Sequence, residues 1–209
     1  MIHLRKRLNL FDLIKAIFFF KNLKNLEWKK TIDQQSLVVS KSSWSILLIG
    51  LWIKKIKNKK PLFLVPDYYC NYTLNFLRIL GAQIVFYPVN KNFEPIFDKI
   101  DSSITPDILI ATHYFGKELD LQKITNYCND KKIWLIEDAT HCLKRTGNIG
   151  KYGHFLIFSQ HKFFSNINGA LLLINEKKLS NDEIKSFGDK KTWIKILEKF
   201  IRDKNIKIY

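Results

Sequence analysis

From Leu62 onward the chain alternates between short runs that are apolar at every position and stretches with apolar residues at helical spacing. The fully apolar runs are residues 62–65, 83–87 (after Gln83), 107–112 (between Asp107 and Thr112), 133–136, 155–158 and 170–174. A strand with one wet face would alternate polar and apolar residues, so runs of this kind belong to a sheet covered on both sides. Between them, residues 72–80 carry Leu74, Leu77, Ile79 and Leu80 on one helical face and stop at Gly81, a residue suited to a helix C-terminus. A second helix is expected over residues 120–129. Buried strands separated by helices give an α/β fold with a mostly parallel central sheet and helices on both faces. At 209 residues, 46% of them hydrophobic and 14% aromatic, the chain can fill the core of such a domain, and disorder is excluded.

Net charge points elsewhere at first. The formal charge is +16, which usually makes nucleic acid, an acidic membrane or a phosphorylated ligand the first suspects. Its distribution weakens that inference: residues 1–60 carry +11, residues 61–175 only +1 and residues 176–209 +4. The aromatic residues lie mainly in core-like runs, and the chain shows no nucleic-acid-binding signature, so no specific nucleic-acid partner is expected. Cys70, Cys128 and Cys142 are odd in number and form no paired motif, which favours a reducing, cytoplasmic setting over a disulfide framework or a zinc site. The basic, then apolar start of residues 1–20 is interrupted by Asp12 and Lys15, so neither a signal peptide nor a transmembrane segment is expected.

Ligands of parallel sheets bind beyond the carboxyl ends of the strands, and the polar residues that follow each run are the candidates for chemistry. A strand running into Glu137-Asp138-Ala139-Thr140-His141 places a carboxylate at a buried end, where it needs a cation or a protonated ring nitrogen as partner. A second strand runs into Phe158-Ser159-Gln160-His161-Lys162, offering an amine able to form a Schiff base and a hydroxyl three residues before it. Upstream, Ser42-Ser43 precede the apolar run 46–53 as helix-capping residues whose helix start can face an anion. Each has an ordinary structural explanation when taken alone: a cap, an ion pair, one more surface lysine. In this order along a parallel α/β sheet, they are what pyridoxal 5'-phosphate requires. Other constellations fail. Gly147, Gly150 and Gly153 do not make a phosphate-binding Walker loop, Ser159, His141 and Asp138 lack a nucleophile elbow, and the histidines and cysteines lack metal-ligand spacing.

The same segments resemble the DegT/DnrJ/StrS family of pyridoxal-phosphate-dependent sugar aminotransferases, whose fold is of the aspartate-aminotransferase type. The matching stretches run from about Leu37 to Asn175: Ser42-Ser43, Pro66-Asp67-Tyr68-Tyr69, Gly81-Ala82, His113-Tyr114-Phe115-Gly116, Glu137 to His141, Phe158 to Lys162 and Gly169-Ala170. The resemblance implies that Lys162 is the Schiff-base lysine and proton carrier. Asp138 is implied to pair with the pyridinium nitrogen, His141 to lie near the phenolic oxygen, and Ser159 with Ser42 and Ser43 to hold the phosphate. It implies amino transfer, usually from glutamate, to a keto-sugar in surface-polysaccharide or related biosynthesis, by a homodimer or with a complementing chain.

Several positions depart from the family pattern. Many members space the serine and lysine more widely, Ala170 replaces the second glycine, His154 stands where aspartate is common, and Cys70 replaces a ring-stacking aromatic. The expected layout is a basic N-terminal segment over residues 1–36, a cofactor-binding large domain over 37–175, and a basic helical tail over 176–209 in place of the family's C-terminal domain. A catalytically inactive module that binds a partner through the basic flanks is the alternative reading.

Overall fold

Residues 34–163, 169–187 and 190–205 are described by a computed structural model. The expected basic segment therefore lies almost wholly outside the described residues. Seven strands form one sheet: β1 (Gln34–Val39), β2 (Leu62–Pro66), β3 (Gln83–Tyr87), β4 (Ile108–Thr112), β5 (Trp134–Asp138), β6 (Phe155–Phe158) and β7 (Ala170–Asn175). Their order is β1-β7-β6-β5-β4-β2-β3. Neighbours pair in parallel from β3 through β6, and β7 pairs antiparallel with both β6 and β1. The mostly parallel sheet read from the apolar runs is present, with β1 as an added strand.

Period-two alternation splits each buried strand between two cores. Phe63, Val65, Ile108, Ile110, Ile136, Phe155, Ile157, Leu172 and Ile174 face one side. There they meet α1 (Ser42–Lys57), α2 (Asn75–Leu80), α4 (Asn181–Phe187) and α5 (Lys190–Asp203). Leu64, Leu109, Ala111 and Leu135 face the other, against Ile124 and Cys128 of α3 (Gln122–Lys131). Next to them, Leu156, Phe158, Leu171 and Leu173 pack on Ala139, Cys142 and Ile149 from the loop after β5.

Helix α1 is apolar nearly all round because it is sandwiched: ten of its residues, from Ser43 to Ile53, are buried. A side chain at Gly50 would put its Cβ 2.8 Å from Leu80 Cδ2, so the glycine is what lets α2 lie against α1. The indoles of Trp52 and Trp134 donate to Ser186 Oγ and Glu183 Oε1, both at 2.9 Å, tying α4 to α1 and the sheet.

Local signals set the element ends. Gly81 closes α2 in the left-handed region at φ 79°, with Ala82 N–H donating to Leu77 O at 2.9 Å. The residues before α2 form a 3-10 turn, Asn71–Leu74, where a continuous helix was expected. At the amino ends of the strands, Asp107 is buried and accepts from Lys57 Nζ at 2.7 Å, Lys59 Nζ at 2.9 Å and Leu62 N–H at 2.9 Å. That cluster pins the end of α1 to the start of β2. Among the described residues, no helix is long and apolar enough to cross a membrane.

Candidate active site

The chain moves outward from β2 to β3, then returns past β2 to build β4, β5 and β6 in the opposite direction. The reversal opens a crevice at the carboxyl ends of β2 and β4, the usual ligand position in such sheets. A cavity of about 340 Å³ lies there. Its walls come from the start of α1 (Lys41, Ser42, Ser43), the turn after β2 (Tyr69, Cys70, Tyr72, Thr73), the ends of β4 (Thr112, Tyr114) and β5 (Asp138, Thr140, His141), and the turn after β6 (His161, Lys162).

Five of the six residues singled out from the sequence meet in this cavity: Ser42, Ser43, Asp138, His141 and Lys162. Ser159 is buried behind the wall, with its Oγ 3.0 Å from His161 Nδ1. The serines are not caps. Lys41 occupies the cap position, Ser42 and Ser43 are the first two helical residues, and no side chain caps the helix. Their hydroxyls are thus not committed to capping, and the first N–H groups of α1 lack intrahelical acceptors.

Asp138 is 3% exposed. Its Oδ2 accepts from Tyr69 OH at 2.6 Å and its Oδ1 from Thr140 N–H at 2.9 Å. Among the described residues no Lys, Arg or His nitrogen lies within 4.0 Å of it. Lys162 follows β6 in the turn Gln160–Lys162, and its Nζ donates to the neutral Thr140 Oγ1 at 3.2 Å. His141 stacks on Phe115, ring centroids 5.7 Å apart. Burial and the Lys162 cation hold its pKa below the ordinary histidine value against the opposing pull of Asp138. Burial pushes the Cys70 thiol up, but hydrogen bonding with Thr73, the backbone of Tyr72 and the Lys162 cation outweigh it and leave the thiol more acidic than usual.

Glu137 and Asp138 are consecutive in β5 and therefore point to opposite faces. Glu137 is fully buried. Its Oε1 accepts from the N–H groups of Tyr152 and Gly153, and its Oε2 from Gly150 N–H and His113 Nε2. Because Leu119 N–H donates to His113 Nδ1, Nε2 carries the proton and donates to the carboxylate. Glu137 thus gathers three N–H groups of the glycine-rich stretch, whose carbonyls Ile149 O and Gly150 O accept from Arg145. His154, at the position where aspartate is common, accepts Leu135 N–H at Nδ1, and burial lowers its pKa to about 4.

Sequence reasoning missed Tyr69 and Thr140 as partners of Asp138 and Lys162, although Thr140 lies inside the Glu137–His141 motif. Which hydroxyl reaches which group depends on strand order, which local spacing does not encode.

A model of the DegT/DnrJ/EryC1/StrS aminotransferase family matches residues 28–194. The chain belongs to this family. As a family member it is 26% identical over 155 residues to the 3-oxo-glucose-6-phosphate:glutamate aminotransferase of Bacillus subtilis, covering 70% of this chain and 34% of that protein. It is 34% identical over 116 residues to the UDP-4-amino-4-deoxy-L-arabinose–oxoglutarate aminotransferase of Shewanella sediminis, covering 52% and 30%. The chain thus spans about a third of the length of these curated relatives. Among solved structures it resembles NtdA from Bacillus subtilis with bound cofactor PMP (TM-score 0.64, 17% identity, 85% of this chain and 42% of that one). It also resembles the E. coli GDP-4-keto-6-deoxy-D-mannose-3-dehydratase with bound hydrated PLP (TM-score 0.62, 17% identity, 81% and 50%). At these identities the structural likeness shows the fold, which is the expected transferase large-domain type.

Proposed function

We propose that the chain binds pyridoxal 5'-phosphate in the described cavity and uses it to move an amino group from an amino-acid donor to a keto-sugar. The observation that carries this reading is Asp138, a buried carboxylate with no cation beside it among the described residues. Such a group is costly in isolation, and the protonated nitrogen of a pyridine ring is a cation of the right size. The remaining donors fit the same group. Ser42, Ser43 and the open N–H groups of α1 suit a phosphate, and Lys162, whose Nζ donates to a neutral hydroxyl, suits an aldehyde.

When bound, the cofactor supplies an electron sink that acidifies the donor's Cα–H bond. The chain's own residues do the rest. Asp138 holds the proton on the ring nitrogen, and His141 orients the face bearing the phenolic oxygen. Ser42 and Ser43 anchor the phosphate, with Ser159 supporting them through the turn that carries Lys162. Lys162 would hold the cofactor's aldehyde and its Nζ would take up the proton released from the donor's Cα, with Thr140 Oγ1 keeping it in reach. The partners this reading calls for are the keto-sugar, the amino donor, and a second copy of the chain or a complementing polypeptide. Three free cysteines support placing it in the cytoplasm.

The test is chemical trapping. Purified protein incubated with pyridoxal 5'-phosphate and reduced with borohydride should carry one pyridoxyl mass, mapped to the peptide containing Lys162, and Lys162→Ala should carry none. Equal trapping by Lys162→Ala would overturn the assignment.

A further inference from the structure

Tyr69 follows β2 by three residues and packs against the core that holds α1 and α2. Its hydroxyl lies 2.6 Å from Asp138 Oδ2, the short distance of a bond to an ionised acceptor. Burial and the Asp138 charge raise the phenol's pKa well above its ordinary value, so it remains a donor throughout the neutral range. Of the lysines that line the cavity, Lys162 donates to Thr140 Oγ1, and neither it nor Lys41 lies within 4.0 Å of Asp138. Among the described residues the hydrogen-bond donors to Asp138 are one phenolic O–H and the Thr140 N–H.

We propose that Tyr69 is a positioning residue whose hydroxyl stands in for the cofactor's ring nitrogen on Asp138 and thereby sets how tightly the chain holds its cofactor. The inference rests on the reading that Asp138 meets that nitrogen. A contact that stabilises the empty state more than the loaded state lowers affinity by the difference. Without the Tyr69 hydroxyl, the empty chain keeps a buried carboxylate with a single donor, the costlier situation. The loaded chain has the pyridinium on the same carboxylate and loses less. Removing the hydroxyl accordingly tightens cofactor binding while loosening the empty protein.

The experiment compares wild type and Tyr69→Phe for the dissociation constant of pyridoxal 5'-phosphate and of its 1-deaza analogue, in which carbon replaces the ring nitrogen. Melting of the cofactor-free proteins is followed in parallel. The variant should bind pyridoxal 5'-phosphate about tenfold more tightly, equivalent to about 1.4 kcal/mol. It should bind the deaza analogue unchanged and melt at lower temperature when empty. In an Asp138→Ala background the same substitution should alter neither constant. Unchanged or weaker binding by Tyr69→Phe, or an equal gain for the deaza analogue, overturns the proposal. Tyr69→Met carries the same comparison should the phenylalanine variant fail to fold. If wild type forms no borohydride-stable adduct at Lys162, the cofactor reading itself fails and this proposal falls with it. If wild type forms the adduct and Tyr69→Phe binds as wild type does, only the role of Tyr69 is lost.

Discussion

Replacing Glu137 by glutamine tests whether one buried carboxylate organises the loop from Gly150 to Gly153. All four of its partners are donors: the N–H groups of Gly150, Tyr152 and Gly153, and His113 Nε2. Glutamine keeps one acceptor oxygen and presents an NH₂ group to the other two donors. His113 cannot adapt by moving its proton, because its Nδ1 already accepts from Leu119 N–H. Two hydrogen bonds to a charged acceptor are lost at a site with 0% exposure. At about 1.5–3 kcal/mol each, the cost is about 3–6 kcal/mol. That is a large share of the roughly 5–15 kcal/mol that stabilises a domain. Urea denaturation of wild type and Glu137→Gln measures it, with Glu118→Gln as control, since among the described residues Glu118 accepts an exposed Asn148 N–H alone and its loss should cost less than about 1 kcal/mol. Hydrogen exchange at Gly150, Tyr152 and Gly153 should accelerate in Glu137→Gln alone. A loss below about 1 kcal/mol with unchanged exchange would refute the reasoning.

Acid should destabilise the protein through His154. Its folded pKa of about 4 lies below the unfolded value, so on lowering the pH from about 6.5 towards 4 the unfolded chain takes up a proton that the folded chain refuses. Stability is therefore full above that window and falls by about 2 kcal/mol by pH 5. Thermal melts of wild type and His154→Asn at pH 7 and pH 5 should show a smaller acid loss in the variant; equal losses would remove His154 as the cause. Gly153→Ala would bring a Cβ to 2.7 Å from Phe155 O and 2.9 Å from Glu137 Cγ, so it should destabilise by at least about 2 kcal/mol, read by the same urea titration. Trapping at Lys162 and the affinity effect of Tyr69→Phe complete the set.

The fold was largely legible because burial on both faces leaves an unmistakable mark: runs such as Leu62–Val65 and Phe155–Phe158 admit no polar residue. Strand β1 escaped notice for the opposite reason. It lies at the sheet edge with Val38 53% exposed, and its sequence, QQSLVV, is apolar only in its second half. At the cavity, the residues that sit at strand ends were readable, since chemistry there follows from topology. The hydrogen-bond partners were not. Glu137 and Asp138 look like one acidic pair in sequence, and the pleat sends them to separate tasks on opposite faces. Ser159 looked like a phosphate ligand by its spacing from Lys162, and the turn directs its hydroxyl to His161 instead.

Strand β1 has its neighbour at the far end of the fold, with Val39 beside Ala170 and Gln34 beside Asn175. During synthesis it must wait for about 130 further residues to emerge, roughly 7–25 s at ordinary elongation rates. Through that interval the edge of β1 has no strand to close against, although α1 behind it can already meet α2 through Gly50 and Leu80. Ser42 and Ser43 follow β1 by three and four residues, so the serines that face the cavity are made before nearly all the other residues that line it and are among the last to be set in place. A nascent chain halted before β7 would already contain every side chain that lines the cavity and would still lack the strand that fixes its serine wall.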